Sequence, residues 1–216
     1  MSKSETFNEI NAAQRYRSLA LHVADFVSMQ FNLPFDLTNI EEKKSSYEDF
    51  GKSLTNDAFT SEFNCYGLRF LSCISPEIIF KLNNHMLGIS EEKEEKKEGE
   101  NTELTFGQRF IGKQLNLAIA NSYQQQVDCN YIKSCEKLSL FRLFFNDDKT
   151  VNFTMTCKIN DEEIGKIGFC HSEAFFERMN EKAKEDFDSK QKEAASEKLE
   201  TEKKKESDEE IQVKKK

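Results

Sequence analysis

The segment Cys73–Asn83, CISPEIIFKLN, has a related copy 97 residues later, Cys170–Asn180, CHSEAFFERMN. Cysteine, serine and asparagine are identical in the two stretches, lysine aligns with arginine, and leucine aligns with methionine. The same shift places the predicted start of one long helix, near Asn8, on Thr105, where a second long helix should begin. We interpret this agreement as a duplication, in which each half consists of a long helix, strands and a short helix introduced by serine.

The first half can be divided by its apolar spacing. Apolar residues three and four positions apart predict the first long helix over 7–31. Alternation over 34–38 predicts a short strand, and the next segment, Tyr47–Leu54, suits a short amphipathic helix capped by a preceding serine. Alternation over Phe63–Ser72 predicts one further strand.

Helix-terminus signals place the next two helices. Ser75-Pro76-Glu77 combines a capping serine, a proline at the first helical position and an acid that complements the helix dipole. Gly88 then suits the left-handed turn that ends this helix. Thr105 and Gln108 form a capping box for a long helix that reaches about Gln125.

The last part of the body is predicted to be mainly β-structure. Three segments read as strands: Leu138–Asn146, Val151–Lys158 and Ile164–Cys170. The middle segment alternates strictly between apolar and polar residues, which indicates a sheet with one buried and one wet face. A final helix should begin at Ser172 and continue into a charged tail.

These elements predict an α/β fold, a pseudo-twofold helix–sheet–helix sandwich, because amphipathic helices and sheets bury their apolar faces in two or three layers. The expected domain is 1–179, built from halves at about 7–88 and 104–179 that an acidic loop, 89–103, connects. The expected tail is 180–216, a solvated helix that frays. Residues 91–103 and 181–216 should be mobile and dispensable for folding, since they contain little apolar surface to offset backbone ordering.

Composition excludes several classes of protein. The net charge of −8 opposes general nucleic-acid binding. No apolar run approaches the ~20 residues that span a bilayer, and the N-terminus lacks a signal-peptide layout, so we expect a cytoplasmic protein. The six cysteines lack CxxC spacing and are expected to be small buried hydrophobes. We expect neither a cofactor nor a metal, since His22, His85 and His171 fall on different predicted elements.

The order of these motifs resembles a known family. A long helix is followed by Ser46-Tyr47-Glu48-Asp49-Phe50, then by the helix that opens at Ser75 and ends Met86-Leu87-Gly88, and then by Leu104-Thr105-x-x-Gln108. This resembles the middle domain of the flagellar motor switch family FliM over roughly Phe7–Met179. The resemblance implies the pseudo-symmetric α/β/α sandwich of the CheC and CheX phosphatases, in agreement with the duplication.

The resemblance implies a function as well. A non-enzymatic subunit of the flagellar switch ring is expected, in motility and chemotaxis, cytoplasmic and peripheral to the inner membrane at the basal body. Its implied partners are a FliG-like rotor protein, bound at Leu87, Gly88 and Ile89, neighbouring copies of the chain, and a FliN-like ring protein. Neither nucleic acid nor membrane insertion is implied.

Three departures from the family pattern bear on this expectation. Only Gly88 remains of the family's glycine-rich loop, where Ile89 and Glu91 stand in place of glycines. The segment that captures phosphorylated CheY in the family does not precede the first helix, and the family's following β-rich domain is replaced by the charged tail. The sequence therefore looks like the middle domain alone.

Two alternatives stay open, a CheC-type phosphatase of phosphorylated CheY and a ring component of a type III secretion system. The phosphatase needs an acid and an asparagine three residues apart on a long helix. Glu9 precedes Ala12, while Asn116 and Asn121 follow Lys113 and Ala118, so none of these positions has the pair. The pair Glu5 and Asn8 has the spacing but lies ahead of the predicted helix. We therefore expect no catalytic residues.

Overall fold

The computed structural model of the chain describes residues 9, 11–54, 58–89, 104–124, 127–135 and 149–213. In chain order its elements are α1 (Ala12–Phe31), β1 (Phe35–Ser45), α2 (Tyr47–Ser53), β2 (Phe59–Cys65), β3 (Leu68–Ile74), α3 (Pro76–Leu87), α4 (Phe106–Gln124), β4 (Cys129–Cys135), β5 (Thr150–Ile159), β6 (Glu162–Ser172) and α5 (Phe175–Val213).

The described strands form one antiparallel sheet with the order β1-β5-β6-β3-β2-β4. If the half that contains β1–β3 is exchanged with the half that contains β4–β6, the order reads the same from the opposite edge. At the centre, Ser72 of β3 faces Phe169 of β6, the residue that the 97-residue shift assigns to it. The predicted pseudo-twofold sandwich is therefore confirmed, with its axis between β3 and β6. Each outer strand pairs with the other half, β1 with β5 and β4 with β2.

The main core lies between the sheet and a layer formed by α1, α3, α4 and the start of α5. Along β5, Val151, Phe153, Met155 and Cys157 all point into this core, as their predicted alternation requires. Burial of such side chains is worth roughly 1.5–3 kcal/mol each, so this layer is the main source of stability.

The opposite face of the sheet is covered by α2. Its Tyr47 and Phe50, with Leu54 beyond it, pack on residues of the central strands, among them Leu71. A Cβ at Gly168 would lie 2.8 Å from Leu54 Cδ1 and 3.0 Å from Phe50 Cε2. Glycine at this position therefore lets α2 lie close to β6.

Several strand predictions are wrong in extent. The single strand predicted over Phe63–Ser72 is a hairpin, in which β2 and β3 are joined by Tyr66 and Gly67 at φ 51° and 80°. A two-residue turn with positive φ at both central residues matches the right-handed twist of the two strands that it joins. The short strand predicted over 34–38 extends to Ser45 because its polar second half still pairs with β5.

Two further differences concern the second half. The sequence does not predict β4. Most of its residues are polar, charged or small, and Tyr131 and Ile132 are its two large apolar residues. The predicted strand Leu138–Asn146 lies outside the described residues. Strands β5 and β6 confirm the predictions over Val151–Lys158 and Ile164–Cys170 and extend beyond them.

The capping predictions have mixed outcomes. Thr105 and Gln108 form the predicted box, with Thr105 N donating to Gln108 Oε1 at 2.7 Å and Gln108 N to Thr105 Oγ1 at 3.3 Å. Ser75 precedes α3 but does not cap it with its side chain, because its hydroxyl accepts from Lys166 N at 3.0 Å. Ser172 is the last residue of β6, and α5 begins three residues later than predicted.

The charged tail contacts the body beyond the predicted domain boundary. Helix α5 continues to Val213, and its contacts with the body extend past the predicted boundary at 179. Ala183 is buried, Lys182 Nζ donates to the backbone oxygen of Tyr66, and Tyr66 OH donates to Asp186 Oδ2 at 3.4 Å. Residues 182–186 therefore contact the β2–β3 turn, and we expect this part of the tail to contribute to stability.

Candidate functional site

The turn at Gly88 ends α3 in the way the sequence predicts. Gly88 has φ 66° and ψ 26°, in the left-handed region. Its N–H donates to His85 O at 3.1 Å, and Ile89 N donates to Asn84 O at 2.9 Å. A Cβ at Gly88 would meet no atom within 4 Å, so the turn faces open space and glycine is needed there for its conformation.

Both neighbouring helices hold the end of α3 in place. His85 Nε2 lies 2.8 Å from Phe31 O at the end of α1, and since a carbonyl can only accept, Nε2 carries the proton. On the other side, a Cβ at Gly107 would come within 2.8 Å of Asn83 Oδ1, so α4 begins in close contact with α3. The turn is therefore presented on a rigid support between α1 and α4.

Exposed apolar side chains lie on the end of α3 and on the adjoining start of α4. The three on the end of α3 are Met86, Leu87 and Ile89, exposed by 48%, 60% and 42%, and the two on the first turns of α4 are Phe106 and Phe110, exposed by 88% and 45%. We call these five residues the α3–α4 apolar surface. Exposed apolar side chains that cluster in this way are typical of protein-binding surfaces.

The structure brings two predicted site residues, Leu87 and Ile89, into this surface on either side of Gly88. Sequence reasoning missed Met86, Phe106 and Phe110. The signal for Phe106 was present, because a capping box at Thr105 and Gln108 fixes the first turn of α4 and so the direction of each side chain along it. Met86 and Phe110 resemble ordinary core positions in the sequence, and only the packing of α3 on α4 leaves them outside.

The acid–asparagine pair of the phosphatase is absent from α1 and α4, whereas α5 has the spacing at Glu177 and Asn180. Asn116 is fully buried and faces the sheet, where its Nδ2 donates to Ser61 Oγ at 2.6 Å and its Oδ1 accepts from Ser72 Oγ at 3.3 Å. Asn121 is exposed, but the residue three positions before it is the buried Ala118. Glu5 and Asn8 lie outside the described residues.

A buried polar chain joins α1, α4 and β6. Tyr16 OH lies 2.8 Å from Tyr123 OH and 2.7 Å from His171 Nε2, while His171 Nδ1 lies 3.2 Å from Val151 O. Burial lowers the pKa of His171 to about 3, so the ring is neutral. Because Val151 O can only accept, Nδ1 carries the proton, and Nε2 accepts from Tyr16. Tyr16 in turn accepts from the hydroxyl of Tyr123. Burial raises the pKa of the Tyr123 hydroxyl.

This chain of bonds is closed to solvent, since Tyr16, Tyr123 and His171 are all fully buried. It positions helices and is not open to a substrate.

Within the described ranges, no three residues of the His, Cys, Asp and Glu types come together in an arrangement that would hold a metal ion. The helices of the described part also include none long and apolar enough to cross a membrane.

Comparison with solved structures identifies the fold. The FliM middle domain from Vibrio alginolyticus matches with a TM-score of 0.60 and 12% identity, over 77% of this chain and 96% of that one. FliM in the FliG–FliM complex from H. pylori matches with a TM-score of 0.58 and 13% identity, over 77% and 96%. FliY from Thermotoga maritima matches with a TM-score of 0.56 and 10% identity, over 82% and 98%.

The chain therefore has the fold of the FliM middle domain and of CheC-like proteins, as the resemblance implied. No family model matches the sequence. No curated protein matches it either.

Proposed function

We propose that this chain is a non-enzymatic subunit of a flagellar motor switch and that it binds a FliG-like rotor protein through the α3–α4 apolar surface. The observation that carries the proposal is the position of this surface. It includes the residues on both sides of Gly88, the turn that the family resemblance assigns to the rotor protein. The fold supports the proposal too, since a protein with this fold, FliM from H. pylori, has been solved in complex with FliG.

The contact is expected to be mainly apolar. Leu87 and Phe106 are exposed by 60% and 88%, and full burial of a Leu or Phe side chain stabilises by roughly 1.5–3 kcal/mol. Two or three such anchors would supply most of the energy of a modest complex. The acidic segment between α3 and α4, with a net charge of −4 over residues 91–103, would favour a basic rim on the partner.

The rest of the proposed assembly rests on the resemblance. Copies of the chain pack side by side in a cytoplasmic ring at the basal body, peripheral to the inner membrane, and a FliN-like protein lies next to them. Motility and chemotaxis are the processes served. Rigid support of the Gly88 turn by α1 and α4 suits a subunit that transmits torque between neighbours.

The test is a binding measurement with the purified chain and a FliG-like protein from the same genome. Leu87→Glu should weaken binding by about 10- to 100-fold, because it forfeits the apolar burial and places a charge in the contact. Leu21→Glu is the matched control, since Leu21 on α1 is exposed by 69% and lies outside the surface. Equal affinity for the two variants, or equal loss in both, would contradict the assignment of the surface.

A CheC-type phosphatase is the alternative from another class. The long helices α1 and α4 offer no acid–asparagine pair, so purified protein should not accelerate the dephosphorylation of phosphorylated CheY. A type III secretion ring is distinguished by its partner. Selective binding of a secretion-ring protein in place of the FliG-like protein, lost in Leu87→Glu, would favour that reading.

A further inference from the structure

Two buried cysteines face one another across neighbouring strands. Cys65 is the last residue of β2, Cys129 is the first residue of β4, and the strand register places them directly opposite. Both side chains are fully buried, and both are free thiols. The pKa of Cys65 is raised by burial and then by the hydrogen bond of its thiol to Cys129, so the two thiols are neighbours.

The backbone bonds reveal what kind of pair this is. Tyr66 N donates to Asp128 O at 3.1 Å, so the pair next to the cysteines is of the hydrogen-bonded type. Since the two types alternate along an antiparallel ladder, Cys65 and Cys129 form a non-hydrogen-bonded pair. Cys129 O agrees with this, because it accepts from Gln124 Nε2 at 2.9 Å and so points away from β2.

This type of pair has the spacing that a disulfide requires. Residues opposite one another in non-hydrogen-bonded positions have Cα atoms about 4.5 Å apart, with side chains that lie close together. Disulfides join Cα atoms that are roughly 4.4–6.8 Å apart. The Cα spacing of this kind of strand pair is therefore compatible with a bond between Cys65 and Cys129.

We propose that Cys65 and Cys129 are a redox modification site, at which a low-molecular-weight disulfide such as oxidised glutathione forms a reversible cross-strand bond. One cysteine thiolate attacks the small disulfide, which forms a mixed disulfide and releases one small thiol. The second cysteine then attacks the mixed disulfide, the Cys65–Cys129 bond forms, and the second small thiol leaves. The cysteine pair loses two electrons and two protons, and the small disulfide gains them.

The position of the pair sets its rate and its effect. Burial encloses both side chains and raises the pKa of the Cys65 thiol, so oxidation requires the outer strand β4 to open, and in the described sheet β4 is paired only with β2. The bond links β2 of the first half to β4 of the second. Oxidation therefore ties the two halves of the domain together covalently.

A second pair of buried cysteines provides an internal comparison. Cys73 and Cys170 lie on one face of β3 and β6, but Cys73 is opposite Gly168 and Cys170 is opposite Leu71. They are diagonal neighbours, about 7–8 Å apart, which exceeds the range for a disulfide. This pair should stay reduced under the same conditions.

The test treats the purified full chain with oxidised glutathione, blocks the remaining thiols, and maps the linked peptides by mass spectrometry. A Cys65–Cys129 peptide should dominate, should disappear with dithiothreitol, and should form faster in low urea. Cys73→Ser should leave this peptide unchanged, while Cys129→Ser should abolish it. The melting temperature should rise on oxidation in the wild type and in Cys73→Ser alone.

The proposal is overturned by a dominant link between other cysteines, by glutathione adducts at Cys65 or Cys129 without the cross-link, or by free thiols at both positions after prolonged treatment. Each of these outcomes is read from peptides and not from binding to a partner. The result is therefore independent of the proposed rotor contact.

Discussion

The replacement Tyr16→Phe should destabilise the protein far more than Tyr123→Phe, although each removes one hydroxyl from the same buried chain. The asymmetry follows from the direction of the bonds. Tyr16 both accepts from Tyr123 at 2.8 Å and donates to His171 Nε2 at 2.7 Å, whereas Tyr123 only donates within this chain. Removal of the middle hydroxyl therefore leaves two fully buried polar groups without their partners.

The magnitudes can be worked from these contacts. An unpaired buried polar group costs about 1–3 kcal/mol, so Tyr16→Phe should lower the free energy of unfolding by roughly 2–6 kcal/mol. Tyr123→Phe leaves the bond from Tyr16 to His171 in place and should cost about 0.5–1.5 kcal/mol. The double variant should cost less than the sum of the two single variants, because Tyr123 then has no hydroxyl to leave unpaired.

Urea unfolding of the two single variants and the double variant measures all three values, and an unchanged slope against urea verifies that the unfolding transition is the same. The rings stay in place in every variant, so packing is matched. In a domain of this size each kcal/mol shifts the melting temperature by about 2–4 °C. An equal or larger loss for Tyr123→Phe would refute the direction assigned to the chain, and strict additivity would refute the coupling.

Two further predictions concern pH and the tail. Since burial lowers the pKa of His171 to about 3 from 6.5, the unfolded state binds more protons between these values, and stability should fall as the pH drops below about 6.5. His171→Gln should remove about 1.4 kcal/mol per pH unit from that slope, measured as urea midpoints from pH 7 to 5, and an unchanged slope would show that the histidine is charged when folded. Truncation after Gln191 should leave the melting temperature unchanged, whereas truncation after Asn180 should lower it, because Ala183 is buried and Lys182 binds the turn at Tyr66. Equal melting temperatures would show that this part of α5 contributes nothing.

The sequence predicted the elements whose signals are local. The capping pair Thr105 and Gln108 fixed the start of α4, and Gly88 fixed the end of α3, because each needs only neighbouring residues to act. The repeat predicted the symmetry of the sheet, because two copies of one arrangement related by a twofold axis give a sheet that reads alike from both edges. Strict alternation predicted β5, but the expectation of a wet second face was wrong, because Asn152 and Thr156 are buried.

The predictions that failed depend on partners distant in the chain. The second half of β1 and all of β4 have little apolar character. They form strands because β1 pairs with the edge of β5 and β4 pairs with the edge of β2. Ser75 does not cap α3 because its hydroxyl accepts a hydrogen bond from Lys166 N, and Lys166 lies beside it only after β6 has docked. The α3–α4 apolar surface could be predicted only in part, because the exposure of Met86 and Phe110 is a property of how two helices pack.

The exchange of outer strands between the halves has a consequence for how the chain folds. Strand β1 pairs with β5, and Phe35 faces Ile159, so the first long strand has no partner until most of the chain has been synthesised. Contacts of such large sequence separation close slowly, and an unpaired strand edge is exposed in the meantime. Neither half can complete its own sheet, which makes folding a single cooperative event. A cut between α3 and α4 should therefore give two fragments that refold only together.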